Sequence, residues 1–226
     1  MKRRTVKDVM TTEVVTVTED TPFAEIVETL TDRRISAVPV LDAEGRLAGI
    51  VTEADLLRKE EFKPDDAGER PLWGRRRHHA VAKARAVDAR GLMSAPAVTV
   101  KAEATVAEAA RLLASRGFKA APVIDEDAAL CGIVARRDLL SVFHRSDEGI
   151  HDEIVRDVLV CRLWQDPSEV RVRVHDGIVR LSGRVDLKSL IPIVVRMTAA
   201  TEGVVDVVSD LAYEHDDTHP TAYPRA

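Results

Sequence analysis

The chain is poor in cysteine, in aromatic residues and in long apolar runs, and each scarcity excludes something. Its 226 residues hold two cysteines, Cys131 and Cys161, and their separation matches no metal-ligand spacing. That usage suits a reducing interior better than a disulfide-stapled secreted domain. Aromatics make up only 4%. No apolar run approaches the roughly 18 residues of a membrane-spanning helix. The basic start MKRRTVKD leads into no apolar stretch of signal-peptide length, so the expected location is the cytoplasm. There is no glycine-rich phosphate loop, no His-Glu-x-x-His, no nucleophile elbow and no paired-cysteine motif. No catalytic residue and no metal ligand is assigned, and the chain is not expected to be an enzyme. A formal net charge of −5 argues against bulk nucleic-acid binding, which calls for a basic surface.

What is present is a repeat. GIVTEADL at 49–56 returns as GIVARRDL at 132–139. Met10 pairs with Met93, Thr16 with Thr99, Pro39 with Pro122, Gly49 with Gly132 and Asp55 with Asp138, every pair 83 residues apart. The register holds without a gap, so this is one unit written twice. Inside the unit, VVTVT (14–18) predicts a strand. Thr21-Pro22 predicts an N-cap followed by proline at the first helical position. Phe23, Ile26, Val27 and Leu30 form one apolar helical face. In the second copy, Thr105-Val106-Ala107-Glu108 fits a capping box, and Val106, Ala109, Ala110 and Leu113 form the face. AVPVLD (37–42) and APVID (121–125) predict short strands. A turn at 43–45 leads to LAGIV (47–51), and 52–59 closes the unit as a helix. The order is β-α-β-β-α. One such unit exposes an apolar sheet face that a second copy can cover.

This strand–helix–xPV–GhhTxxD unit, present twice over residues 1–145, resembles the CBS domain, and two copies resemble a CBS pair, or Bateman module. The fold class expected is α+β, with the two repeats packed as a pseudo-two-fold pair. Such pairs typically bind adenosyl nucleotides in clefts between the repeats, so the resemblance implies an adenine nucleotide (AMP, ADP or ATP) as regulatory ligand, with no cofactor required. It assigns Asp55 to the ribose diol and Thr52 to phosphate, at a helix N-terminus whose unpaired N–H groups favour anions. Adenine would lie along Ala37, Val38 and Pro39, with Val15 nearby and with Ala121 and Pro122 in the matching strand of the second repeat. Gly49 admits close approach of a ligand or of the opposite strand. A threonine at a helix start is also an ordinary N-cap, and an aspartate in a first turn an ordinary dipole partner.

The second copy departs from the pattern. Ala135 stands where Thr52 does, which removes a hydroxyl donor; a hydrogen bond to a charged group contributes about 1.5–3 kcal/mol. Arg137 now precedes Asp138 and can reach a phosphate. The two sites are therefore expected to be inequivalent.

The stretch 61–89 is a linker with a basic cluster, Arg75, Arg76, Arg77, His78 and His79, and a lone Trp73. The cluster is read first as a solvated face. Closing over a polyphosphate, or touching nucleic acid, are the alternatives.

After Phe143 a different logic begins. Ile150, Ile154, Val155, Val158, Leu159 and Leu163 predict an amphipathic helix. Val170, Val172 and Val174 alternate with Arg171 and Arg173 in a half-wet strand. Asp176-Gly177 signals a two-residue hairpin, and Ile178–Val185 is the return strand. A helix is expected around Ser189–Thr201, then a last strand at 204–211. This α-β-β-α-β segment, 150–214, with DGIVRLSGRV and EGVVDVVSDL, resembles the BON domain. The resemblance implies a protein partner or a phospholipid surface. The tail, 215–226, is expected to be mobile. The reading is a sensor that binds an adenosyl nucleotide and relays occupancy to the BON domain or a partner, as a homodimer through the pair. The alternative is a ligand-independent dimerising scaffold with a BON interaction or membrane-surface tab. The first repeat spans 1–60 and the second 90–145.

Overall fold

The computed structural model describes residues 4–61, 83 and 85–218. Trp73, Arg75–Arg77 and His78-His79 lie outside the described residues. The chain forms two compact units, residues 4–139 and residues 140 onward.

In the first unit each repeat builds a three-stranded sheet. The first repeat gives β1 (Val17–Thr18), α1 (Phe23–Asp32), β2 (Ala37–Leu41), β3 (Leu47–Thr52) and α2 (Glu53–Glu61). The second gives α3 (Ala89–Leu92), β4 (Val100–Lys101), α4 (Val106–Arg116), β5 (Ala120–Ile124), β6 (Leu130–Ala135) and α5 (Arg136–Leu139). β1 runs parallel to β2, and β2 antiparallel to β3. β4, β5 and β6 repeat that arrangement. Both hairpins break register at the same place, Val40/Leu41 and Val123/Ile124. The β-α-β-β-α order agrees with the sequence reading, although β1 is shorter than VVTVT suggested. Ile26, Leu30, Val38, Val40 and Val51 form the core of the first repeat together with Ala89 and Leu92 of the second. Neither repeat is closed alone.

The two helix starts are built differently. At α4 the expected capping box is present: the Thr105 hydroxyl accepts from the Glu108 N–H, and the Glu108 carboxylate accepts from the Thr105 N–H at 2.8 Å. At α1 the expected threonine cap is not. Pro22 occupies the cap position, and the Thr21 hydroxyl instead accepts from the Thr18 N–H at 3.0 Å. The Phe23 N–H, one of the donors at this helix start that lack an intrahelical partner, donates to the Val87 carbonyl at 2.8 Å.

The second unit is a three-stranded sheet, β7 (Val170–His175), β8 (Ile178–Leu187) and β9 (Asp206–His215), carrying two helical segments. The first helix, α6 (Asp147–Glu153), continues through a π-helical stretch, Ile154–Val160, to a last turn at Cys161–Leu163. Its apolar positions recur every four or five residues, a drift that the wider i→i+5 turn keeps on one face. Ile150, Ile154, Val158 and Leu159 thereby reach one core with Val172, Val179, Leu181 and Val194 of α7 (Leu190–Ala199). Asp176 and Gly177 adopt φ of 51° and 73°, as a tight hairpin of this type requires. Their N–H groups donate to the Asp147 carboxylate at 2.9 and 3.0 Å, which ties the hairpin to the start of α6. β9 outruns the expected 204–211. His215 pairs with Leu187, and Asp216 and Asp217 hold Lys188 and Ser189, so pairing and hydrogen bonds reach into the stretch 215–226 that was expected to be mobile. Among the described residues no helix is long and apolar enough to cross a membrane.

Candidate functional site

Each repeat sends its leading segment across onto the other repeat's hairpin. Thr11 exchanges backbone hydrogen bonds with Ile133 at 3.0 and 2.9 Å. Ser94 does the same with Ile50, at 2.8 and 3.2 Å. Thr11 and Ser94 are repeat equivalents, as are Ile50 and Ile133, so the two crossings are related by the internal symmetry. A further symmetric pair of bridges joins Thr5 to Thr105 and Pro22 to Asp88. This exchange leaves two clefts between the repeats.

One cleft holds about 360 Å³ and opens on Asp138. Its walls come from both repeats: Val14, Val15, Ile35 and Ala37 from the first, Ile133 and Ala135 from the second. Arg34 and Arg137 also line it. The Asp138 Oδ2 accepts from the Ala135 N–H at 2.8 Å. Its Oδ1 lies 3.7 Å from Arg137 Nε, beyond good hydrogen-bonding distance. Arg136 lines the same cleft, but its guanidinium donates to the Phe118 and Leu113 carbonyls at 2.7 and 3.3 Å. It closes the end of α4.

The other cleft holds about 380 Å³ and opens on Asp55. Ile50, Thr52 and Ala54 meet Ser94, Pro96, Val98, Phe118 and Ala120 there, with Arg58 and Arg116 at its edge. The Thr52 N–H and hydroxyl both donate to Asp55 Oδ2, at 3.0 and 2.7 Å. Lys83 Nζ donates to Asp55 Oδ1 at 2.6 Å and to Ser94 Oγ at 2.9 Å. Ser36, Ala37, Glu53, Lys119 and Ala120 belong to both clefts, and Lys119 pairs with Glu53 at 2.8 Å on the wall they share. Both volumes fall in the range of small-molecule sites.

The residues singled out from sequence are distributed unevenly. Thr52 and Asp55 line one cleft, Arg137 and Asp138 the other, and Ala37 both. Val15, read beside the Asp55 seat, lines the Asp138 cleft. Val38 is fully buried in the core, and neither it nor Pro39 lines either cleft. Ala121 is 1% exposed and, with Pro122, is likewise absent from both linings. Gly49 is taken by the opposite repeat: a Cβ there would stand 2.6 Å from Met93 Sδ. The Thr52 hydroxyl is engaged with Asp55. Ala120, Val98, Arg34, Ser94 and Lys119 were missed. The 83-residue shift could have found two of them, since it carries Ala37 to Ala120 and Val15 to Val98. Burial raises the Cys131 thiol above its ordinary pKa.

The comparisons with known proteins agree with this architecture. An uncharacterized protein of Methanocaldococcus jannaschii is 29% identical over 149 residues, 60% of this chain and 88% of that protein. A second uncharacterized protein of the same organism is 30% identical over 162 residues, which cover 68% of this chain but only 35% of the longer relative. CBSX2, a CBS-pair protein from Arabidopsis thaliana, was solved in complex with AMP. That structure matches with a TM-score of 0.52 and 27% identity, over 61% of this chain and 94% of the other. The CBS domain model matches residues 6–61 and 89–145, and the BON domain model matches 146–214. The chain belongs to the CBS domain family, with two CBS repeats followed by a BON domain.

Proposed function

We propose that this chain is a regulatory module whose inter-repeat clefts take an adenosine nucleotide, AMP, ADP or ATP, and whose occupancy is passed to the BON domain or to a bound partner. One observation carries the reading: each cleft sets a carboxylate from the first turn of a helix, Asp138 or Asp55, against small apolar walls and cations. The carboxylate can accept both hydroxyls of a ribose diol. Ala37 and Ala120 leave room for a flat base, with Val14, Val15 and Ile35 on one side of the molecule and Val98 and Phe118 on the other. Arg34 and Arg137, or Arg58 and Arg116, can meet phosphate. The likeness to a CBS-pair protein solved with AMP supports the same ligand class. A ligand moves such a module only as far as it prefers one arrangement of the repeats over another.

Self-association through the pair belongs to the same reading. α1 and α2 leave an apolar groove lined by Phe23, Val27, Leu30, Leu56 and Leu57, with Leu57 66% exposed. A second copy presenting the same face would cover it.

Calorimetric titration with AMP, ADP and ATP tests the function. Saturable heat is expected from the wild-type chain and none from the Asp55→Ala/Asp138→Ala double variant. No heat at millimolar nucleotide would overturn the proposal. Equal binding by the folded double variant would remove both carboxylates from nucleotide recognition, and the ligand-independent scaffold is what remains where the wild-type chain gives no heat.

A further inference from the structure

The two helix-opening carboxylates are not in the same state. Asp55 is spoken for on both oxygens: Oδ2 accepts twice from Thr52, and Oδ1 accepts from Lys83 at 2.6 Å. The Lys83 and Asp55 side chains are 14% and 7% exposed. The ammonium is also pinned to the cleft wall, because it donates to Ser94 Oγ at 2.9 Å and Ser94 is the residue that bridges to Ile50. Among the described residues, Asp138 keeps one oxygen open. Its Oδ2 accepts from Ala135 N–H, and the guanidinium nearest its Oδ1 is 3.7 Å away on a side chain that is 74% exposed.

A ribose diol approaches a carboxylate as a neutral donor of two hydrogen bonds. At Asp138 it meets a free acceptor. At Asp55 it must displace a charge-assisted bond, which is about twice as strong as a neutral one. We infer that Lys83 masks Asp55, so that the Asp138 cleft is the seat an adenosine 5′-phosphate fills first, although the Asp55 copy carries the fuller Thr-x-x-Asp motif. This rests on the proposed function, and it adds which cleft is used and what decides it. Hydrogen bonds to charged groups contribute about 1.5–3 kcal/mol, which corresponds to roughly a ten- to hundred-fold difference in affinity.

The test is AMP titration of the full chain, wild type and variants, with folding checked by circular dichroism. The wild type is expected to show one dominant site, lost in Asp138→Ala and kept in Asp55→Ala. Lys83→Met is expected to strengthen a second site at least ten-fold, and Lys83→Met/Asp55→Ala to abolish that gain. Should Lys83→Met fail to fold, Lys83→Gln drops the charge while keeping a donor toward Ser94, and it is expected to behave the same way. A second isotherm unchanged or weakened by a folded Lys83 variant overturns the mask. So does a dominant wild-type site that disappears with Asp55. Nucleotide binding that persists in those cases leaves the cleft reading standing; no heat from any variant removes both.

Discussion

Met93 occupies the space above Gly49 in which a Cβ would stand, with its Sδ at 2.6 Å and the Ser94 carbonyl oxygen at 3.0 Å from that point. The same relation recurs one repeat later, with Met10 and the Thr11 carbonyl over Gly132. These glycines exist for the segment that crosses from the other repeat. Methionine can bend away, but the carbonyl is held by its bridge. Gly49→Ala is therefore expected to cost about 1–3 kcal/mol through overpacking, and Gly49→Ala/Gly132→Ala more. Urea unfolding measures it. Unchanged midpoints in both variants would contradict the crossing.

Arg34 has φ of +52° at the position where the second repeat has Gly117 at +70°. A side chain in that region is strained by about 1 kcal/mol or more, and the arginine lines the Asp138 cleft. Arg34→Gly is expected to raise stability by about 1 kcal/mol and to weaken AMP binding several-fold. Unfolding and calorimetry on the same preparation read the two effects. Affinity that does not fall removes Arg34 from phosphate recognition.

The end of β9 is held by charge. Lys188 donates to the Asp216 carboxylate at 2.6 Å, and this bond is the main cause holding the carboxyl at about 2, below its ordinary 3.8. A carboxyl lowered on folding stabilises the native state above its ordinary pKa, and that stability is lost as pH falls through the folded value. The clamp is therefore intact above about pH 4 and released toward pH 2. Carbon-detected titration of the Asp216 side chain is expected to give a midpoint near 2, returning toward 3.8 in Lys188→Met. An ordinary midpoint in the wild type would show that the clamp does not form.

Several elements were legible because their causes are local. The capping box at Thr105, the turn at Asp176-Gly177 and the alternation of Val170–Val174 each depend on neighbours in sequence. The cap at α1 was misread because Thr21 had a competing partner, Thr18, that local propensity does not weigh. The π-helical stretch was missed because an apolar spacing of four or five residues still passes as an ordinary helix. The clefts were only half legible. Asp55 and Asp138 stood out in the repeated phrase, whereas Arg34 and Lys119 sit outside any motif. Val38 and Pro39 came from the resemblance, which points to a strand and not to one of its faces, and Val38 is turned into the core.

The amino-acid sequence alone determined that one β-α-β-β-α unit occurs twice in a fixed 83-residue register, and that an acidic residue opens the closing helix of each copy. Periodicity and short-range hydrogen bonding suffice for that. Tertiary structure decided which residues share a cleft, because Val15 meets Asp138 only when the leading segment of the first repeat crosses to the second hairpin. It also decided that Lys83, 28 residues from Asp55, sits on that carboxylate. Neither contact has a local cause, so no window of sequence contains it.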